Sequence, residues 1–130
     1  MTLTIRAAQA ADAPELGRIC FEAFKAIAEA HGFAPDFPST EMAAGVIGWL
    51  IAHPSFFTAV AEIDGAVVGS NFLDMRNPIS GVGPITVDPA LQNASVGRAL
   101  MEVVMTESDR RGFAGVRLVQ AGYHCRSLAL

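Results

Sequence analysis

Apolar positions along this chain recur with two different periods, and the switches between them outline a mixed architecture. Thr2 to Ala7 alternates well enough for a first strand. Asp12-Ala13-Pro14-Glu15 then reads as a capping box, with Asp12 as N-cap and Glu15 reaching back. Leu16, Ile19, Cys20, Ala23, Phe24 and Ile27 follow at helical spacing as one apolar stripe, and Gly32 behind His31 predicts the stop. Prolines punctuate the loop from Phe33 to Ser39. After it Met42, Val46, Ile47, Trp49 and Leu50 predict a second helix ending near His53-Pro54.

The period then shortens. Phe56 to Ile63 is aromatic and β-branched, Asp64-Gly65 is a two-residue hairpin signal, and Ala66 to Met75 resumes as a strand. Asn77-Pro78 and Ser80-Gly81 read as a turn. Gly83 to Val87 reads as a short strand whose Pro84 cannot donate to a ladder, which favours a bulge or a splayed edge with backbone groups free for a ligand. Val96, Ala99, Leu100, Val103 and Val104 carry one face of a third helix, with Gly112 at its end. Val116 to Ala121 is another strand, and His124 to Leu130 begins a helix. The order β-α-α-β-β-β-α-β-α predicts an α/β fold of the α+β mixed-sheet kind, an antiparallel meander followed by a right-handed β-α-β crossover.

Composition narrows the class. The 130 residues suit one domain with its own core. A hydrophobic share of 52% with 17% charged residues excludes a disordered tail. The apolar residues are nevertheless too dispersed for the run of about twenty that a membrane helix needs. The N-terminus lacks a basic region followed by an apolar stretch, so the expected location is the cytoplasm. A net charge of -4, with no long Lys/Arg stripe, argues against a nucleic-acid partner. Cys20 and Cys125 lie far apart, and His31, His53 and His124 lack zinc-ligand spacing, so neither a disulfide framework nor a metal site is expected.

The segment from Val87 to Leu100 carries the candidate chemistry: a strand end, a tight turn and a small-residue loop opening a helix. Such a loop aims unpaired N–H groups at one point, where the helix dipole also favours an anion. It follows a crossover strand, the end of an open α/β sheet where ligands bind.

This element order, with this loop in this place, resembles the GNAT superfamily of acetyl-CoA-dependent N-acetyltransferases. The family's pyrophosphate loop reads Gln or Arg, two residues, Gly, one residue, Gly or Ala, after a strand ending near Val-Asp-Pro. Here Ile85-Thr86-Val87-Asp88-Pro89 leads to Gln92-Asn93-Ala94-Ser95-Val96-Gly97, and Arg98-Ala99-Leu100 continues the helix. Ser95 stands where the family usually has Gly. The resemblance runs over nearly the whole chain and implies a single N-acetyltransferase-like domain over residues 1–130 that lacks the family's C-terminal strands.

The resemblance also implies roles. The loop Gln92, Asn93, Ala94, Ser95, Val96 and Gly97, with Arg98 beginning the helix, would hold the pyrophosphate of acetyl-CoA. Ile85, Thr86 and Val87 would run along the pantetheine as if it were an added strand, and the Val87 N–H would donate to the tetrahedral oxyanion. Ser95 either adds its hydroxyl or crowds the loop, because Ser tolerates positive φ less well than Gly. His124 takes the position of a family Asn, and the family's Tyr would fall one residue past Leu130. It reads as a pantetheine contact, a base or a helix cap. Asp74, Glu41 and His31 are candidate bases by position, each with a solvated or capping role as the alternative. Phe33, Asp36 and Phe37 lie on the loop that borders the family's acceptor site. Rings beside an acid suit a cationic amine, while a loop anchored by two Phe is the plainer account.

The implied function is transfer of acetyl from acetyl-CoA to a primary amine by direct attack in a ternary complex. The alternative is a non-catalytic acyl-CoA-binding or interaction module. Without the last family strands the sheet would keep an open edge, so a strand-completed homodimer is a further expectation.

Overall fold

The computed structural model describes residues 2–92 and 95–120. In them the chain runs β1 (Leu3–Arg6), α1 (Ala13–Ala30), α2 (Thr40–Ala52), β2 (Phe56–Ile63), β3 (Ala66–Asp74), β4 (Ile79–Val82), β5 (Thr86–Val87), α3 (Val96–Arg110) and β6 (Gly115–Leu118). Single 3-10 turns precede α1 at Ala10–Asp12 and follow β5 at Pro89–Leu91. The sheet is mixed, in the order β1-β2-β3-β4-β6, with β5 paired to β3. The helix expected from His124 lies outside the described residues, as does Asn93-Ala94 in the loop.

Local chemistry explains the central hairpin. Asp64 (φ 51°) and Gly65 (φ 85°) both adopt left-handed backbone, as a tight turn matched to strand twist requires. The turn sets β2 against β3 over their whole length. It also holds β1 in place, since Asp64 Oδ1 accepts the Thr2 N–H at 2.9 Å.

Helices cover both faces. On one side α1 and α2 pack Leu16, Cys20, Ala43, Ile47 and Leu50 against Val60 and Phe72. Their approach is close enough that a Cβ on Gly17 would lie 2.4 Å from Ala44 Cα, so only glycine fits there. On the other side α3 packs Val96, Leu100 and Val104 against Ala59, Ala61, Leu73 and Val87. No helix among the described residues is long and apolar enough to cross a membrane.

Three local expectations change. The Asp12 carboxylate does not cap α1. It closes the preceding 3-10 turn on the Gln9 N–H at 2.7 Å and pairs with both terminal nitrogens of Arg6, and Arg6 holds its carboxyl below the ordinary range. Glu15 turns instead to Arg18. Second, Ser80-Gly81 is not a turn but the middle of β4, parallel to β6 and antiparallel to β3. Its small residues answer to packing: Ser80 Oγ lies 2.8 Å from Ser108 Oγ on α3. Third, the strand expected from Gly83 shortens to Thr86–Val87, because Gly83 (φ 116°) and Pro84 carry the chain out of the ladder.

The departure at Pro84 is a bulge. Val82 pairs with Leu73 and Thr86 pairs with Ser70, so four residues of this strand advance against three of β3.

Candidate active site

The bulge parts β5 from β6. While β4 lies beside β6 from Ile79↔Gly115 to Val82↔Leu118, the continuation through Ile85 pairs only with β3. The divergence opens a cleft of about 600 Å³ lined by Val82, Gly83, Pro84 and Ile85 on one wall, Leu118 to Gln120 on the other, and Met101 of α3. Phe24 and Ile27 of α1 and Asp36 of the α1–α2 loop also line it.

Backbone direction at the bulge follows from the ladder. The Asp88 N–H donates to Val68 O at 2.8 Å, which makes 88 and 68 a hydrogen-bonded pair. Alternation then makes Thr86–Ser70 the next such pair and turns the Val87 N–H and C=O away from β3. The Val87 carbonyl accepts from Gln92 Nε2 at 3.5 Å on that outer side. Thr86 is buried with Ser70 beside it, and neither hydroxyl finds a hydrogen-bond partner among the described residues.

The loop beyond β5 is tied down by Asp88. Its Oδ1 accepts the Ala90 N–H at 3.0 Å, capping the Pro89–Leu91 turn, and its Oδ2 accepts from Arg18 Nη2 at 3.2 Å. Arg18 lies on the polar side of α1, and no sequence signal linked it to the loop. The helix that follows starts at Val96 behind Ser95, which has φ 63° and makes no side-chain cap. The left-handed backbone at this position is the geometry in which the family's usual Gly costs nothing. Val96 points into the core, Gly97 is partly buried, and Arg98 is exposed. Their N–H groups, in the first turn of α3, have no helical partner.

The candidate bases are not brought together. Asp74 is gripped by Arg76 at 2.8 and 2.9 Å. That pair holds its carboxyl below the ordinary range, the wrong direction for taking a proton from an amine. Glu41 sits exposed in the first turn of α2, and the His31 ring lies 3.0 Å from Ile27 O at the end of α1. Of the loop residues, Phe37 packs into the α1/α2 core beside Phe24, with ring centroids 6.2 Å apart, while Phe33 is 57% exposed. His124 lies outside the described residues. Among the described residues no three His, Cys, Asp or Glu side chains form a cation cage.

This splayed sheet recurs in solved structures. The chain superposes with a TM-score of 0.81 on the PaiA N-acetyltransferase of Thermoplasma acidophilum in complex with coenzyme A, at 15% identity, covering 96% of this chain and 84% of that one. A GNAT family acetyltransferase from Brucella melitensis in complex with acetyl-CoA gives 0.71 at 23% identity, covering 96% and 80%. The ribosomal-protein-S18-alanine N-acetyltransferase of Escherichia coli gives 0.72 at 22%, covering 93% and 69%. At these identities the likeness concerns the fold. No curated protein matches the sequence significantly. The family model described as the acetyltransferase (GNAT) family does match, over residues 19–130, so the chain belongs to that family.

Proposed function

We propose that this domain transfers an acetyl group from acetyl-CoA to a primary amine by direct attack in a ternary complex. The observation that carries this reading is the cleft between β5 and β6, opened by a one-residue bulge and lined by Met101 of α3, the helix that starts behind β5 without a side-chain cap. Two of the structural neighbours are complexes with coenzyme A or acetyl-CoA, which supports the same ligand here.

In this reading the pyrophosphate meets the backbone of Gln92, Asn93, Ala94, Ser95, Val96 and Gly97, with the Arg98 guanidinium adding charge at the helix start. The backbone of Ile85, Thr86 and Val87 flanks the pantetheine. An amine with a pKa of about 10 must first lose a proton. With Asp74 tied to Arg76, that proton passes to water in the open cleft. The nitrogen attacks the thioester carbonyl carbon, the C–N bond forms, and the charge on the carbonyl oxygen is met by the outward Val87 N–H. The C–S bond then breaks, the thiolate of coenzyme A leaves, and the second proton of the attacking nitrogen passes to that thiolate through the water of the cleft. By its place in the sequence His124 is a candidate pantetheine contact or base.

Calorimetric titration with acetyl-CoA, followed by a thiol-release assay over a panel of amines, tests the proposal. Saturable binding that Gly97→Val weakens at least tenfold, together with amine-dependent thiol release, is expected. Binding without release from any amine would select the acyl-CoA-binding module, and no binding would overturn both.

A further inference from the structure

We propose that the outer face of α2 is a contact through which two copies of this chain pair, with their α2 helices antiparallel across a two-fold axis at Gly45. The surface is separate from the sheet edge at β6, and the inference does not depend on acetyl transfer.

The composition of α2 is the starting point. Of its 13 residues only Glu41, in the first turn, carries charge. Ala43, Ile47 and Leu50 are buried in the core shared with α1 and the sheet, and that burial needs only one side of the helix. The other side is apolar as well. Met42, Gly45, Val46 and Trp49 follow at intervals of three and four residues, and all four are exposed, Met42 by 56% and Trp49 by 52%. A helix apolar all round is one with a neighbour on every side. Here α1 and the sheet supply one neighbour, and no described residue covers the opposite face.

That face is complementary to a copy of itself. A Cβ at Gly45 would meet nothing within 4 Å, so the backbone is bare there and a second helix can approach closely. Met42 stands three residues before Gly45 and Trp49 four after it, about 4.5 and 6 Å along the helix axis. A second α2 reversed about Gly45 therefore brings each Trp49 to the partner's Met42, an aromatic ring against a thioether.

Charge sets the direction. The Arg76 guanidinium lies over the Trp49 ring, 5.9 Å from its centroid, at the C-terminal end of the stripe. Glu41 adjoins Met42 at the N-terminal end. Asp74 engages Nε and Nη2 of Arg76, which leaves Nη1 for a second carboxylate. Antiparallel pairing carries each Arg76 to the end where the partner's Glu41 stands, whereas parallel pairing would set like charges together.

The test is sedimentation velocity of the whole chain from about 2 μM to about 500 μM, with the emission of Trp49, the only tryptophan, read over the same range. Reversible dimerisation is expected, with a blue shift as the ring leaves water. Gly45→Arg enters open space on a helix, so it should melt no lower than the wild type while weakening association at least tenfold. Glu41→Arg and Arg76→Glu should each weaken it at least tenfold. An equimolar mixture of the two should associate again, because both contacts of the mixed dimer then join opposite charges. A chain that stays monomeric throughout, whether or not it binds phosphatidylcholine–phosphatidylglycerol vesicles, would overturn the proposal. So would a dimer whose Trp49 emission stays constant, a dimer that Gly45→Arg leaves intact, or a mixture that associates no more tightly than either variant alone.

Discussion

Arg18 and Asp88 join α1 to the turn that leads into the loop before α3: Arg18 Nη2 donates to Asp88 Oδ2 at 3.2 Å, while the other oxygen of Asp88 caps the turn. Asp88→Ala removes both contacts. The lost cap should cost about 1 kcal/mol, and the ion pair should add little because Arg18 is 43% exposed. Acetyl-CoA affinity should fall further than this modest loss suggests, since Gln92 to Gly97 lose their anchor. Urea melts beside calorimetry would separate the two effects, and an unchanged affinity would free the loop from Asp88.

Ser95 occupies left-handed backbone at φ 63° without a cap bond to compensate. Relief of that strain is worth about 1 kcal/mol, and the greater freedom of an unfolded glycine returns roughly half of it. Ser95→Gly should therefore raise stability by about 0.5 kcal/mol, read from chemical denaturation.

A Cβ at position 69 would stand 2.6 Å from Thr86 O and 3.2 Å from Val87 Cα. Backbone atoms cannot yield as a flexible side chain can. Gly69→Ala should destabilise by about 1–3 kcal/mol and push β5 outward, lowering kcat in a thiol-release assay under conditions where the fold is still fully populated.

Thr86 buries a hydroxyl with no partner among the described residues. Thr86→Val keeps the shape and removes the polar atom. Because an unmet buried hydroxyl costs about 1–3 kcal/mol, the variant should be more stable by about 1 kcal/mol in a thermal or urea melt.

Cys20 is fully buried, and burial pushes its thiol from an ordinary value of 9.0 up to about 12. The unfolded chain thus releases this proton first. The thiol's contribution to stability is complete below about pH 9 and is lost as pH rises towards 12. In a Cys125→Ser background, alkylation of Cys20 at neutral pH should proceed only at the rate of unfolding, measured by mass spectrometry against denaturant.

Much of the frame is legible in the sequence where the signal is local. Phe56 to Ile63 is a strand over the span its β-branched and aromatic residues indicate, because Asp64-Gly65 favours the tight turn that pairs it with the next strand. The loop before α3 is legible for the same reason. Ser80 and Gly81 mislead, since residues common in turns stand there inside a strand, where Ser80 meets Ser108 of α3. Asp12 misleads because Arg6 competes for its carboxylate. That the α1–α2 loop and β6 line one cleft has no local pattern at all. It exists only once the loop after α1 and the strand after α3 are folded onto one sheet face.

The bulge between Val82 and Thr86 has odd length, and strands alternate their side chains with even period. Val82, an even-numbered residue, packs towards α3, and so does the odd-numbered Val87. One residue fewer in this segment would exchange inside for outside from Pro84 onward, driving the Thr86 hydroxyl into the α3 core and turning the Val87 amide back into the sheet. Apart from Gly83, whose φ of 116° favours glycine, the composition of this stretch can therefore drift, but its count cannot: here a chain length aims a backbone dipole.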